Sequence, residues 1–179
     1  MRYPKTAALT ALFFELDSAA CYRFNRISRV PALRTVFAVV SHLGNGVFWY
    51  TLIALMPLFD RERGYYAAAH MLVVGLGGLL IYKLIKSMTV RSRPFVKRSD
   101  INLGVAPLDQ YSFPSGHTLH AFSFTVIATV YYPFLYLSLV TFTVLVALSR
   151  VVLGLHYPTD VLAGAVIGIS LADLSLLVY

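Results

Sequence analysis

Charge is scarce in this chain. Of 179 residues only 13% are Asp, Glu, Lys or Arg, while 58% are hydrophobic. A soluble domain carries roughly 25% charged residues. A water-exposed globule this apolar would present large greasy patches and aggregate, and a mean hydropathy of +0.71 excludes a disordered chain. Cysteine is nearly absent as well: Cys21 stands alone, so an internal disulfide scaffold is excluded. Acidic residues are the scarcer sign, 8 against 15 Lys and Arg, for a formal charge of +7. In a soluble protein that excess would raise nucleic acid as a partner. Here the basic residues sit between apolar runs, so lipid headgroups or anionic substrates are expected and nucleic acid is not. The length leaves room for one domain.

What is present is a series of long apolar runs. A membrane-crossing helix needs about 20 mostly apolar residues, and about five segments qualify. The first runs from about Gly46 to Phe59, extended backward through Val36–Val40 and weakened by the interruption Ser41–Gly46. The others run from about Tyr65 to Ile85, His117 to Tyr132, Pro133 to Leu148 and Val161 to Tyr179. The expected fold is an all-α integral membrane helical bundle. Residues 1–34 alternate apolar and charged residues irregularly, with Arg23, Arg26 and Arg29 three apart, and are expected to lie at the interface as an amphipathic segment. Ser18–Cys21 faintly resembles a lipoprotein cleavage site, but Glu15 and Asp17 interrupt the stretch that should be apolar, so no cleaved leader is expected.

Alternating the spans places Asp60–Arg63, Tyr131–Pro133 and the C-terminus at one end. The long basic connector from Lys86 to Pro114 then shares the opposite end with Ser149–Asp160. Charges at the edge of a membrane core are costly and tend to be functional. Lys86, Arg93 and Arg150 come from separate segments and can converge on one multiply charged anion, with Arg offering a planar fork and Lys a point charge. Lys83, Lys97 and Arg98 fit snorkelling better. Pro114-Ser115-Gly116-His117 reads as a helix start, where free N–H groups form an anion site. His156 precedes Asp160 by four residues at a second helix start. An Asp one turn away can accept a proton from one imidazole nitrogen and leave the other free to attack. His42 and His70 read as structural, and His120, one turn beyond His117, as a possible lining residue. Gly75, Gly77, Gly78, Gly164 and Gly168 read as close helix contacts, and Asp173 as an acid with a polar contact near the far end.

These residues form three blocks: Lys86, six residues, then Arg93-Pro94; Pro114-Ser115-Gly116-His117; and Ser149-Arg150, five residues, His156, three residues, Asp160. Complete and in order over residues 86–160, they resemble the type-2 phosphatidic acid phosphatase family, whose active site is shared with vanadium haloperoxidases and bacterial acid phosphatases. Over residues 1–60 the likeness is architectural only.

The resemblance implies a single membrane-embedded phosphatase domain over 1–179. It would act without metal or cofactor on a lipid phosphate or polyprenyl diphosphate, within a bilayer. Lys86, Arg93 and Arg150 would clamp the phosphate with help from Ser115 and the Gly116 N–H. His156 would be the nucleophile, forming a phosphohistidine, and Asp160 would orient it. His117 would protonate the leaving oxygen and then activate water. Phosphatidylglycerophosphate, undecaprenyl diphosphate, phosphatidic acid and lipid A phosphate all remain open as substrates, and oligomeric state is not encoded in any motif. A bacterial inner membrane with an extracytoplasmic active face is expected. The alternative is a non-catalytic anion- or lipid-binding or transport protein, which would have no need of His156 paired with Asp160.

Overall fold

The computed structural model describes residues 5–178. Residues 1–4 of the N-terminal segment, and Tyr179 at the end of the expected fifth span, lie outside the described residues. The elements are α1 (Lys5–Asn25), a 3-10 turn (Arg26–Arg29), α2 (Pro31–His42), a π turn (Leu43–Val47), α3 (Phe48–Phe59), α4 (Arg61–Thr89), the short α5 (Pro94–Lys97), α6 (Gly116–Tyr131), a 3-10 turn (Pro133–Leu135), α7 (Tyr136–Val152) and α8 (Pro158–Leu176). Pro31, Pro94 and Pro158 each open a helix, where the missing N–H would have had no intrahelical partner. Asp60 caps α4 by accepting from the Arg63 N–H at 3.2 Å.

Four stretches are long and apolar enough to cross a membrane: Pro31–Phe59, Arg61–Lys97, Pro133–Val152 and Pro158–Leu176. The expected third span is α6, with 16 residues and a length of about 24 Å at 1.5 Å per residue. It is the inner helix. Leu119, Ala121, Ile127 and Ala128 are fully buried, and α6 packs against α4, α7 and above all α8. That last contact is close because Gly164 and Gly168 have no side chain. A Cβ there would fall 2.6 Å from the Ser115 carbonyl oxygen and 2.3 Å from that of Leu119. Gly75 and Gly78 admit Phe124 and Leu119 in the same way, whereas a Cβ on Gly77 would make ordinary contact at 3.8 Å.

The first span is longer than the sequence pattern indicates. Its interruption is a kink between α2 and α3, where Asn45 and Gly46 leave helical geometry and Gly46 takes φ +115°. A Cβ on Gly44 would lie 2.8 Å from Val146, so the break brings this span against α7.

α1 reverses the usual amphipathic order. Asp17, Cys21 and Asn25, four residues apart, are buried, while Leu9, Leu12, Phe13, Phe14 and Leu16 face outward. The Asn25 amide donates to the carbonyls of Asn102 and Val152, both at 2.9 Å, and Cys21 Sγ to that of His156 at 3.6 Å. The helix thus docks on the Lys86–Asp160 end of the bundle with its polar side inward. Arg23, Arg26 and Arg29 are exposed. Asp173, read as having a polar contact, is instead exposed near the end of α8.

Candidate active site

Helix ends set the site. Lys86 sits in the last turn of α4, Arg150 in the last turn of α7, His117 in the first turn of α6, and Asp160 in the first turn of α8. Between α4 and α5 the chain turns at Val90, in the left-handed region at φ +47°, and delivers Arg91 and Arg93. Lys86, Arg93, Gly116, His117, Arg150 and His156 all line one cavity of about 400 Å³. The six come from three separate stretches of sequence, and the fold brings those stretches together. Lys86, Arg93 and Arg150 are buried, an expensive arrangement for three cations without an anion.

Two side chains partly offset that cost. The Asp109 carboxylate accepts from Lys86 Nζ at 2.5 Å and from Arg93 Nη2 at 2.7 Å, and its backbone carbonyl accepts from Arg93 Nε at 3.1 Å. Ser41 Oγ accepts from Arg150 Nη1. Neither residue was singled out in the sequence. Asp109 is one of two acids in the connector between Ser87 and Pro114, which was the available signal. Ser41 sits in the helix interruption, which carried none.

The imidazole of His156 lies between a guanidinium and a carboxylate. Arg93 Nη1 is 3.3 Å from Nε2, and Nδ1 is 3.6 Å from Asp160 Oδ2. A guanidinium can only donate, so Nε2 is the acceptor and the proton belongs on Nδ1, facing Asp160. The 3.6 Å separation is longer than a hydrogen bond, as catalytic pairs often are before substrate binds. Burial, with Arg150, Arg93 and Lys86 nearby, pushes the His156 pKa well below 6.5, so the ring is neutral at pH 7. Asp160 Oδ2 also takes the Tyr157 N–H at 2.8 Å, and Oδ1 takes Arg91 Nη1 at 2.5 Å.

Two candidates, Asp160 and Ser115, do not line the cavity. Both are fully buried, and Ser115 Oγ pairs with Thr118 Oγ1 at 2.9 Å. His120 does line it, stacked on Phe124 at 5.5 Å. His70 is structural: its Nε2 pairs with Ser175 Oγ at 2.8 Å and its Nδ1 with Tyr131 at 3.3 Å. His42 is exposed and outside the cavity. Away from the cations, the cavity continues between Trp49, Tyr50, Leu72, Leu76, Leu79 and Phe124, an apolar extension toward the membrane core. No group of three or more His, Cys, Asp or Glu side chains among the described residues is arranged to hold a metal.

A model of the PAP2 superfamily matches residues 64–179. The chain is 34% identical over 159 residues to phosphatidylglycerophosphatase B of Bacillus subtilis, spanning 80% of this chain and 73% of that one. It is 25% identical over 155 residues to the undecaprenyl-diphosphatase of Sulfolobus acidocaldarius, spanning 86% and 74%. Among solved structures it is similar to a transmembrane PAP2-type phosphatidylglycerolphosphate phosphatase from Bacillus subtilis. That match has a TM-score of 0.71 and 30% identity over 92% of this chain and 91% of that chain.

Proposed function

The chain belongs to the PAP2 superfamily, and we propose that it is a metal-independent membrane phosphatase acting on a lipid phosphate or polyprenyl diphosphate through a phosphohistidine. The observation that carries this reading is the His156 ring. Its Nε2 lone pair points at Arg93 and its Nδ1 at Asp160, inside a cavity shared with Lys86, Arg150 and His117.

The substrate phosphate replaces the Asp109 carboxylate on Lys86 and Arg93, and Arg150 and the Gly116 N–H complete the clamp. Arg93 Nη1 then bonds a phosphate oxygen and releases the Nε2 lone pair. Nε2 forms a bond to phosphorus as the bond to the leaving oxygen breaks, and protonated His117 gives its proton to that oxygen. The leaving group is a lipid alcohol, or a polyprenyl monophosphate when the substrate is a diphosphate. His117, now neutral, takes a proton from water. The hydroxide attacks phosphorus, the N–P bond breaks, and inorganic phosphate departs. Asp160 holds the Nδ1 proton throughout and stabilises the charge that develops on the ring. Fixed cations meet the charge on the transferring group, the role that Mg²⁺ has in kinases. Ser115 supports the clamp by bonding Thr118 and so holding the first turn of α6. The apolar extension takes the lipid tails.

We place the protein in a bacterial cytoplasmic membrane with the active end facing outward, and α1 at the outer interface. The similarity to a Bacillus enzyme supports the first point, and the outward-facing apolar side chains of α1 support the last. A single reactive cysteine beside Asp100, in a Cys21→Ser background, should be labelled from outside intact cells; labelling only after permeabilisation would invert the orientation.

The central test is phosphate release by the detergent-purified protein from phosphatidylglycerophosphate and undecaprenyl diphosphate in EDTA. Release by the wild type, lost in folded His156→Ala, is expected. No release from either by the wild type would favour the non-catalytic anion binder.

A further inference from the structure

Asp160 turns Oδ2 toward His156, and its other oxygen, Oδ1, has a partner of its own. That oxygen faces Arg91, which spans two buried carboxylates. Arg91 Nη1 is 2.5 Å from Asp160 Oδ1, and Arg91 Nη2 is 2.6 Å from Asp17 Oδ2. Asp17 also holds Thr159, accepting from its N–H at 3.1 Å and its hydroxyl at 2.5 Å, and Arg91 Nη1 closes the ring on Thr159 Oγ1 at 2.8 Å. The Arg91 guanidinium carbon lies over the Tyr157 ring, 4.1 Å from its centroid. The side chains of Asp17 and Asp160 are 2% and 0% exposed. Asp17 therefore has no solvent to satisfy it, and its charge is matched by Arg91.

Resting on the phosphatase reading, we infer that Asp17 of α1 is a positioning residue for the reaction. Through Arg91 and Thr159 it fixes Asp160 so that Oδ2 faces His156 Nδ1. Asp17 lies outside residues 64–179, where the superfamily model matches. The first turn of α8 is thus clamped from a helix outside the residues that the superfamily model matches. The outer side of that same helix is the apolar face of Leu9, Leu12, Phe13 and Leu16, so seating α1 in the interface and orienting the catalytic pair are one event. Neither Asp17 nor Arg91 lines the substrate cavity. Their loss should lower kcat and leave KM in place.

The test is the pH profile of kcat/KM with the full-length protein in detergent, against one lipid phosphate. The charged and titratable groups around the His156 ring are Arg93, Arg150, Lys86, His117 and Asp160, with Asp109 lining the same cavity and Cys21 of α1 on the His156 carbonyl; none of these is substituted in the variants. Asp17→Asn leaves the Arg91 charge less neutralised beside Asp160. The imidazolium is then less favoured, and the acid limb moves to lower pH. Arg91→Gln leaves Asp160 freer to stabilise the imidazolium, and the limb moves to higher pH. Each variant should lose about tenfold in kcat, the scale of one charge-assisted hydrogen bond. A scaffold-only role would lower both activities without moving the limbs in opposite directions, and that result would overturn the inference, as would wild-type kcat in Asp17→Asn. If Asp17→Asn does not fold, Arg91→Lys decides. It keeps the charge but not the fork, so kcat should fall with the limb unmoved; unchanged kcat would reject the positioning role. Inactive wild-type protein, or active His156→Ala, would instead reject the phosphatase reading itself.

Discussion

Lys86 Nζ donates to Asp109 Oδ2 at 2.5 Å, and the same carboxylate reaches Arg93. An internal anion thus sits on two of the three cations proposed to hold the substrate phosphate. Burial opposes ionisation of Asp109, yet Lys86 and Arg93 together hold its carboxyl below the ordinary value of 3.8. It stays charged throughout the working range and competes with any incoming anion. Because the folded pKa is depressed, the pair's contribution to stability is complete above the unfolded value and is lost only as pH falls through the folded one. Asp109→Asn should therefore strengthen inhibition by vanadate roughly three- to tenfold at pH 7, the scale of one ordinary hydrogen bond, and lower the melting temperature of the phosphate-free protein. Weaker inhibition in that variant would make Asp109 an aid to phosphate binding instead of a competitor.

The depressed pKa of His156 sets a second expectation. Its pKa lies well below 6.5 in the folded protein because of burial and then Arg150, Arg93 and Lys86. Between the folded value and 6.5 the unfolded chain binds the extra proton, so stability rises with pH across that window and falls as pH drops below about 6.5. Thermal melts from pH 7.5 to 5 should show this slope in the wild type and a shallower one in His156→Gln. Equal slopes would mean that the ring is not held neutral by its surroundings.

The three blocks were legible in the sequence because each is local. A helix start or a four-residue spacing can be read from neighbours, and the alternation of apolar runs assigns all of them to one end. What could not be read depends on contacts between distant segments. Asp17 reaches Arg91 across 74 positions and Ser41 reaches Arg150 across 109. In sequence, Asp17 is a charge spoiling an apolar run, and Ser41 opens a break in a span. The fold gives both a partner. The bounds of α6 were legible, but its place as the inner helix was not, because burial among other helices and burial in lipid leave the same apolar pattern.

Ser41 yields a prediction of its own. Arg150 is 3% exposed, its Nε has no hydrogen-bond partner among the described residues, and Nη1 depends on Ser41. Ser41→Ala removes that acceptor and leaves a buried guanidinium less satisfied, which costs on the order of 1–3 kcal/mol. Melting should fall accordingly, and saturating phosphate should restore part of the loss by supplying a new acceptor. No restoration would mean that phosphate does not reach Arg150.

The contact between α6 and α8 carries both His117 and Asp160, so its closeness should be measurable. Gly168→Ala would put a Cβ 2.3 Å from the Leu119 carbonyl oxygen, where backbone must move, whereas Gly77→Ala would meet only Leu171 at 3.8 Å. Overpacking of this kind costs about 1–3 kcal/mol, while alanine in an open helical position gains up to about 1 kcal/mol over glycine. Gly168→Ala should lower the melting temperature and Gly77→Ala should leave it unchanged or raise it. A loss of equal size in both would show that helix approach is not what these glycines provide.

The apolar extension of the cavity separates lipid recognition from chemistry. Leu76 lines it on α4 but belongs to a different part of the wall from Lys86, nearly three turns further along that helix. Leu76→Trp fills the extension and leaves the cations untouched. KM for a long-chain lipid phosphate should rise, because the tail no longer fits alongside the indole. Turnover of a short, water-soluble phosphomonoester should be unchanged, since it needs only the polar end. Equal losses on both substrates would mean that the indole disturbs the clamp. An unchanged KM for the long chain would place the tails on another surface of the bundle.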